Sequence, residues 1–398
     1  MEQLSAIAPA VGRHFRGIAP SAAGDWGSFQ GDETSRLEQY AFQFGRCYDA
    51  YLAAEPVWEP FWSKGCRGAV AMVRQGRHLF SSGGLLAPEA HRAELLAQLV
   101  EAADARQEVL TFFNIPEEQL PLFRRRGFQA TKLGEEALVD LPECTWAGKS
   151  YEWVRRQSNF CRRHGLMVSE CRPHAMTAAG WQALAGELLE VSGLFLNDKP
   201  QSGEVRFLQA GFDPARLGRK RVFAARADGG AGRIEGFLAC SPCQGGDTWV
   251  FETYRQRPDA VRGTIPFLLH QVMQTLQAEG VRRVSLCLIP GLRCREPLAG
   301  DSRMARWGLV LGTQHFNLVF DTAGAYHFKS RFRPRFENRY LCVRPRMSLA
   351  TAVAFVRLLG VLRLDVGKLC QQVLRRWRTR SSRATLRTPE FEGLGIRD

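Results

Sequence analysis

Helix-period and strand-period segments alternate along this chain twice over, in nearly the same order, and that alternation restricts it to mixed α/β architectures. In the first half Leu37, Tyr40, Phe44 and Tyr48 recur at helical spacing, and two short strands are expected at Gly68 to Val73 and Arg77 to Ser82. Pro88 to Ala105 reads as an amphipathic helix with Leu95, Leu96, Leu99 and Val100 on one side. Val109 to Asn114 then reads as an apolar strand, Glu117 to Arg126 as a short helix stopped by Gly127, and Glu136 to Leu141 as another strand. The second half repeats the grammar. Helices are predicted over Lys149 to His164, Thr177 to Gly193 and Gly263 to Glu279. Strands are predicted over Arg221 to Ala225, Ile234 to Ala239, Trp249 to Tyr254 and Arg283 to Leu288.

With 398 residues the chain is longer than one core usually serves, so two packed units with extensions are expected. The boundaries read as an arm over 1–34, a first domain over 35–141, a second over 142–346 and a basic segment over 347–398. Hydrophobic content of 45% is that of a globular protein. The balance of 54 Lys and Arg against 40 Asp and Glu, a net +14, predicts attraction to nucleic acid or anionic lipid without choosing between them. Eleven cysteines without framework spacing, behind an N-terminus that lacks a secretory pattern, point to reduced thiols in a cytoplasmic protein. Cys240-Ser-Pro-Cys243 and Cys161-Arg-Arg-His164 have ligand-like gaps, but neither has the second pair a zinc knuckle needs, so no metal is expected.

The run from Tyr326 to Tyr340 interleaves cations with aromatic rings and is stiffened by Pro334. If it is extended, Lys329 and Arg331 share one face while Phe328 and Phe332 pack on the other. The block resembles F-K-x-K-F-x-P-x-W-x-x-R-Y-L, the closing motif of the C-terminal catalytic domain in the phosphatidylglycerol lysyltransferase and alanyltransferase (multiple peptide resistance factor) family, with Phe336 in the usual Trp place and Arg331 in a Lys place. Lys132 to Asp140 is similar to the K-L-G-E-E-A-x-V-D segment of that family. Lys149, Arg155, Asn159 and Arg163 resemble its K-x-x-x-x-R-x-x-x-N-x-x-x-R helix. Gly211-Phe-Asp-Pro214 resembles G-R-F-D-P, and Arg257 to Thr264 the R-P-D-A-P-x-G segment before the long helix, with Pro266 where the family usually has Asp. The element order is also that of the Gcn5-related acyltransferase (GNAT) fold. Two tandem GNAT-like domains, the first degenerate and the second catalytic, followed by a basic C-terminal helix, are therefore what the resemblance implies.

It further implies transfer of an aminoacyl group from aminoacyl-tRNA to the hydroxyl of a lipid headgroup, with phosphatidylglycerol as acceptor and no cofactor. One ester replaces another, so catalysis reduces to positioning the hydroxyl, accepting its proton and stabilising an oxyanion. Glu252 and Arg255 stand where the family has its D-x-x-R pair. Glu252 is then the general base or orients the incoming amine, and Arg255 holds a lipid phosphate or the tRNA terminus. Lys329 and Arg331 neutralise phosphate or steady the carbonyl oxygen. Arg339, Arg257, Lys149, Arg155 and Asn159 complete the expected substrate contacts. His270, His315 and His327 lack the company of a catalytic triad or a His-x-x-x-His metal pair; His270 and His315 read as structural, and His327 stays a candidate because it sits inside the Tyr326 to Tyr340 motif.

Two other functions fit the composition: an N-acyltransferase using acyl-coenzyme A, and a non-catalytic RNA- or membrane-binding relative. A coenzyme A user carries a Gly-rich pyrophosphate turn before the long helix, where this chain has the single Gly263. Met347 to Leu364 approaches the length of a membrane span, but Arg357 and Arg363 interrupt it. On a helix Arg357, Lys368, Arg375 and Arg378 share a face, so this segment is expected either to lie on the inner leaflet of an anionic membrane, to pack back on the second domain, or to touch tRNA phosphates.

Overall fold

The computed structural model describes residues 33–55, 57–197, 211–314 and 322–358. Most of the arm expected over 1–34, most of the basic segment over 347–398, and His315 lie outside the described residues. The first half runs α1 (Glu33–Phe44), β1 (Glu59–Trp62), β2 (Ala69–Gln75), β3 (His78–Ser81), α2 (Glu89–Ala105), β4 (Val109–Pro116), α3 (Leu120–Arg125) and β5 (Gln129–Asp140). The second half opens with α4 (Glu152–Arg163), β6 (Met167–Cys171), α5 (Ala178–Asn197), β7 (Arg221–Arg226), β8 (Ile234–Cys243) and β9 (Thr248–Gln256). It continues with α6 (Thr264–Ala278), β10 (Arg283–Pro290), α7 (Arg303–Gln314), α8 (Thr322–Ser330), β11 (Arg335–Arg344) and α9 (Leu349–Leu358).

The strands form one sheet in the order β1-β2-β3-β4-β11-β5-β10-β9-β8-β7-β6. Only β3 with β4 and β9 with β10 run parallel, and each pair is joined by a crossover helix, α2 or α6. The two halves are therefore repeats of one GNAT-like unit. They are not side by side, because β11 inserts between β4 and β5 and pairs with both, while β10 pairs with β5. Strand β8 is buried along its whole length, as an apolar run covered on both faces must be. On one face α2 and α3 cover the first half through Leu96, Leu99, Phe112 and Phe123, and α4 and α6 cover the second through Val154, Leu268, Val272 and Phe251. The opposite face carries α5 over Val222, Phe237 and Ala239. It also carries α7 and α9, whose Ala305 and Ala354 join a cluster with Phe80, Phe113, Leu133 and Val343.

The expected extended run at Tyr326 is instead the last turn of α8 followed by a tight turn into β11. Phe328 and Phe332 are four residues apart, which satisfies a helical stripe as well as a strand alternation, so the pattern alone did not discriminate. Their rings meet edge to face at 5.7 Å, and Phe332 is fully buried, worth about 1.5–3 kcal/mol. Ser330 Oγ donates to the Tyr326 carbonyl, and Arg333 takes φ 55° ahead of Pro334 to close the turn. Of the basic segment, only its start is described: α9 lies against β2 and β3 of the first half, with Phe355 stacked on Phe113 at 4.8 Å. No helix among the described residues is long and apolar enough to cross a membrane.

Gly134, inside the Lys132 to Asp140 motif, sits at the point where β5 is gripped by β10 and β11. A Cβ there would lie 2.3 Å from the Ile289 carbonyl oxygen, which is backbone and cannot step aside. Gly134→Ala is expected to cost about 1–3 kcal/mol in urea unfolding with the m-value unchanged; a loss under about 0.5 kcal/mol means the strand junction is looser than described.

Candidate active site

Strands β9 and β10 pair only between Thr248–Val250 and Arg283–Ser285, then diverge. From Leu288 onward β10 pairs with β5 after a bulge, and β9 stays with β8. The parting leaves carbonyls of β10 without a strand partner, and Lys329 fills that role. Its Nζ donates to Cys287 O at 3.1 Å and Leu288 O at 3.0 Å. Cys287 sits in the left-handed region at φ 66°, and its Sγ bridges the gap to Phe251 O at 3.3 Å. Lys329 is 6% exposed, with no carboxylate in salt-bridge contact among the described residues, and burial pulls its pKa down from 10.5 to about 8. An ammonium has three donors, and two of them are used by described residues. Tyr254 of β9 faces the same region, its ring 6.3 Å from that of Phe328, and burial pushes its hydroxyl pKa up.

Glu252 and Arg255 are both on β9, but they do not join Lys329. A β-bulge opposite Ala239 and Cys240 makes Glu252 the extra residue, so Glu252 and Arg255 both lie on the face bearing Ala239 and Ser241, where strict alternation would have separated them. Glu252 accepts from Ser241 Oγ and is salt-bridged to Lys220 at 3.0 Å, with only 7% of its side chain exposed. Burial alone would lower the Lys220 pKa, but the carboxylates of Glu252, Glu55 and Glu38 together more than offset it and the pKa stands above normal. Glu252 is expected from the sequence as a general base or as the group that orients the amine, and the structure holds its carboxylate in an ion pair with Lys220. Arg255 is buried and donates to Ser192 Oγ beneath α5. Arg257 donates to Ile234 O at 2.8 Å and pairs with Glu190 at 2.7 Å, so it pins the loop before α6 instead of facing a substrate.

Two of the sequence motifs meet side by side. Glu136 of β5 lies opposite Glu337 of β11, accepts from Ser285 Oγ, and takes Arg339 at 2.6 Å, both side chains under 5% exposed. Glu135 takes Lys132 at 2.7 Å and Arg293 at 2.8 Å. Arg339 is thus a buried cross-strand partner at the edge of a cavity of about 430 Å³, bordered also by Tyr48, Val250, Arg283 and Arg335. This cavity joins residues from both halves, which no local pattern signals. Lys220, Ser241 and Cys287 were likewise missed; each meets its partner on another segment of the chain.

The remaining expected contacts gather at one surface on the α4 side of the sheet. Arg155 donates to Gly148 O at 2.7 Å, beside exposed Lys149, and Asn159 is exposed next to Arg162. The Arg331 guanidinium lies 5.5 Å from the centre of the Trp153 ring, and Arg333 donates to Ser150 O. Arg156, Arg162 and Arg163 extend the patch outward. His270, by contrast, is buried against Ser158 at 2.8 Å, its pKa lowered to about 4 by burial, and is a neutral core residue. Cys240 and Cys243 fall on opposite faces of β8, the first among α6 contacts and the second against the first half, so they do not act as a pair.

A profile described as "Phosphatidylglycerol lysyltransferase, C-terminal" matches residues 45–343. The phosphatidylglycerol lysyltransferase of Bacillus subtilis (strain 168) is 26% identical over 276 residues, 68% of this chain and 30% of the relative. That of Staphylococcus aureus (strain MRSA252) is 22% identical over 78% of this chain and 36% of its own length, so the chain spans about a third of these relatives. Among solved structures, L-PGS from Bacillus licheniformis superposes with a TM-score of 0.68 at 21% identity, covering 84% of this chain and 99% of the other. The C-terminal domain of an Agrobacterium fabrum protein assigned as a lysylphosphatidylglycerol synthetase gives 0.66 at 24%, covering 81% and 96%. With three quarters of its length matched by that profile and the same fold in both solved structures, the chain belongs to the phosphatidylglycerol lysyltransferase C-terminal family.

Proposed function

We propose that this protein transfers an aminoacyl group from aminoacyl-tRNA to the hydroxyl of an anionic lipid headgroup, phosphatidylglycerol being the acceptor the family relationship favours. The observation that carries the reading is the Lys329 ammonium at the parting of β9 and β10, buried, and among the described residues without a counter-ion and with two of its three donors used. An acyl transfer places negative charge on the ester carbonyl oxygen, and a desolvated cation stabilises it far more than water does. The lipid hydroxyl attacks the ester carbon, the C–O bond to the tRNA ribose breaks, and the hydroxyl proton leaves with the ribose oxygen, so no nucleotide or metal enters the balance. The Glu252–Lys220 pair holds the bulged strand β9 in register beside the site. The Arg155, Arg162, Arg163 and Arg331 surface suits the tRNA backbone, with Trp153 as an aromatic neighbour. A coenzyme A user is disfavoured because Arg257 is folded into Glu190 and Ile234 where a pyrophosphate turn would open.

Incubation with a mixture of charged tRNAs and total bacterial lipid should yield an aminoacylated lipid by mass spectrometry, and ribonuclease pretreatment should erase it. A product that survives ribonuclease and requires acyl-coenzyme A overturns the proposal. Arg162→Glu with Arg163→Glu is expected to raise KM for charged tRNA about tenfold or more and to flatten its salt dependence, with kcat preserved; an equal loss in kcat would place these arginines elsewhere in the cycle.

A further inference from the structure

Helices α7 and α9 cover the same face of the sheet, and both leave an apolar row uncovered on the side away from it. On α7, Met304, Trp307 and Leu311 recur at i, i+3 and i+7 with exposures of 38%, 59% and 45%, while Ala305 and Val310 turn inward. On α9, Leu349, Val353 and Val356 recur at i, i+4 and i+7 with exposures of 72%, 40% and 37%, while Thr351 and Ala354 turn inward. A helix that only closes a core exposes polar residues on its outer side. These two do the reverse on the same face of the sheet, over one shared core cluster, and apolar area so exposed marks an interaction site.

The charge around the rows identifies what covers them. Residues 302–314 and 345–358 contain no Asp or Glu, yet include exposed Arg303, Arg346 and Arg357. Next to Trp307 an open depression of about 600 Å³ is bordered by Leu298, Arg303 and an Arg306 that is ion-paired to Asp301 at 3.3 Å, so its walls are apolar with Arg303 as the cation not paired to Asp301. Apolar rows fringed mainly by cations, with the one bordering carboxylate, Asp301, held by Arg306 and with exposed Trp307 in the α7 row, have the composition of a surface that settles into the headgroup region of an anionic bilayer. A second copy of the chain would meet the same arginines and be repelled by them.

We propose that α7 and α9 form a bilayer-docking platform that seats the protein on anionic membrane. This rests on the lipid acceptor proposed above and adds which face meets the lipid. The platform lies on one face of the sheet and the α4 surface on the other, so bilayer and tRNA approach from opposite sides and need not compete. The parting of β9 and β10, where Lys329 sits, lies in the sheet between them.

The test uses the full chain and sedimentation with vesicles of phosphatidylcholine alone or with a third phosphatidylglycerol, without tRNA. Binding is expected only to the anionic vesicles, and Trp307→Glu with Val353→Glu should weaken it at least tenfold while far-ultraviolet circular dichroism and thermal midpoint stay unchanged. The same variant should keep parental transfer to a monomeric short-chain phosphatidylglycerol in solution and lose it toward vesicles. If the variant binds vesicles as the parent does, or if its native mass halves while vesicle affinity is retained, the docking platform is refuted. The tRNA-free vesicle assay remains decisive even if no aminoacyl transfer is ever detected.

Discussion

Lys329→Met should lower aminoacyl transfer by at least about a hundredfold while changing stability little, because relief of the buried charge is offset by the Cys287 and Leu288 carbonyls losing their donor. The site keeps an ammonium where burial penalises it, and the fall from 10.5 to about 8 corresponds to roughly 3 kcal/mol of unfavourable burial. Methionine fills similar volume without that cost, but has no proton to offer a developing oxyanion, whose loss typically costs 10²–10³ in rate. The sign of the pH dependence follows. Because the folded pKa lies below the unfolded one, the unfolded chain holds the extra proton between about 8 and 10.5, so parental stability gains a rising term across that window. Lys329→Met should lack that term. Parental kcat should fall as pH climbs through about 8, where the ammonium is lost. A variant that retains transfer, or a kcat that rises through pH 8, rules out the cationic role and favours a neutral amine acting as base.

The largest stability effect is expected at Arg339. Its guanidinium and the Glu136 carboxylate are 4% and 3% exposed and bonded at 2.6 Å across neighbouring strands. Arg339→Ala strands a buried carboxylate that Ser285 alone cannot neutralise, and the cost should be about 3–5 kcal/mol in urea unfolding. Glu136→Gln combined with Arg339→Met should recover most of it, since an uncharged pair of similar volume removes the penalty as well as the attraction. Glu337 also touches Arg339 and is less buried, so Glu337→Gln alone should cost under about 1 kcal/mol. If the double variant is as unstable as Arg339→Ala, the loss comes from packing rather than charge.

Much of the second half was readable from local pattern. Strands β7, β9 and β10 and helices α4, α5 and α6 appear close to where periodicity and glycine stops put them, because each element's burial is set by its own residues. The short strands β1 and β6 carried too few residues to show a period, and α8 was hidden because Phe328 and Phe332 suit either repeat. At the site, residue type was legible and company was not. Lys329 and Glu252 were both singled out by type, whereas the partner of Glu252 was not legible, because Lys220 is thirty-two residues upstream of Glu252 in the sequence and adjoins it only in the fold.

Local pattern was enough to specify the alternation of helices and strands, the doubled unit and the cationic block near the end, since these depend on which side chains follow one another along the backbone. Tertiary structure alone decided that β11 is laid between β4 and β5, that a bulge turns Glu252 and Arg255 to the same face, and that Lys329 is left without a carboxylate partner among the described residues. The reason is physical: strand insertion, counter-ion choice and desolvation are properties of which distant segments meet, and their energies do not exist until they do.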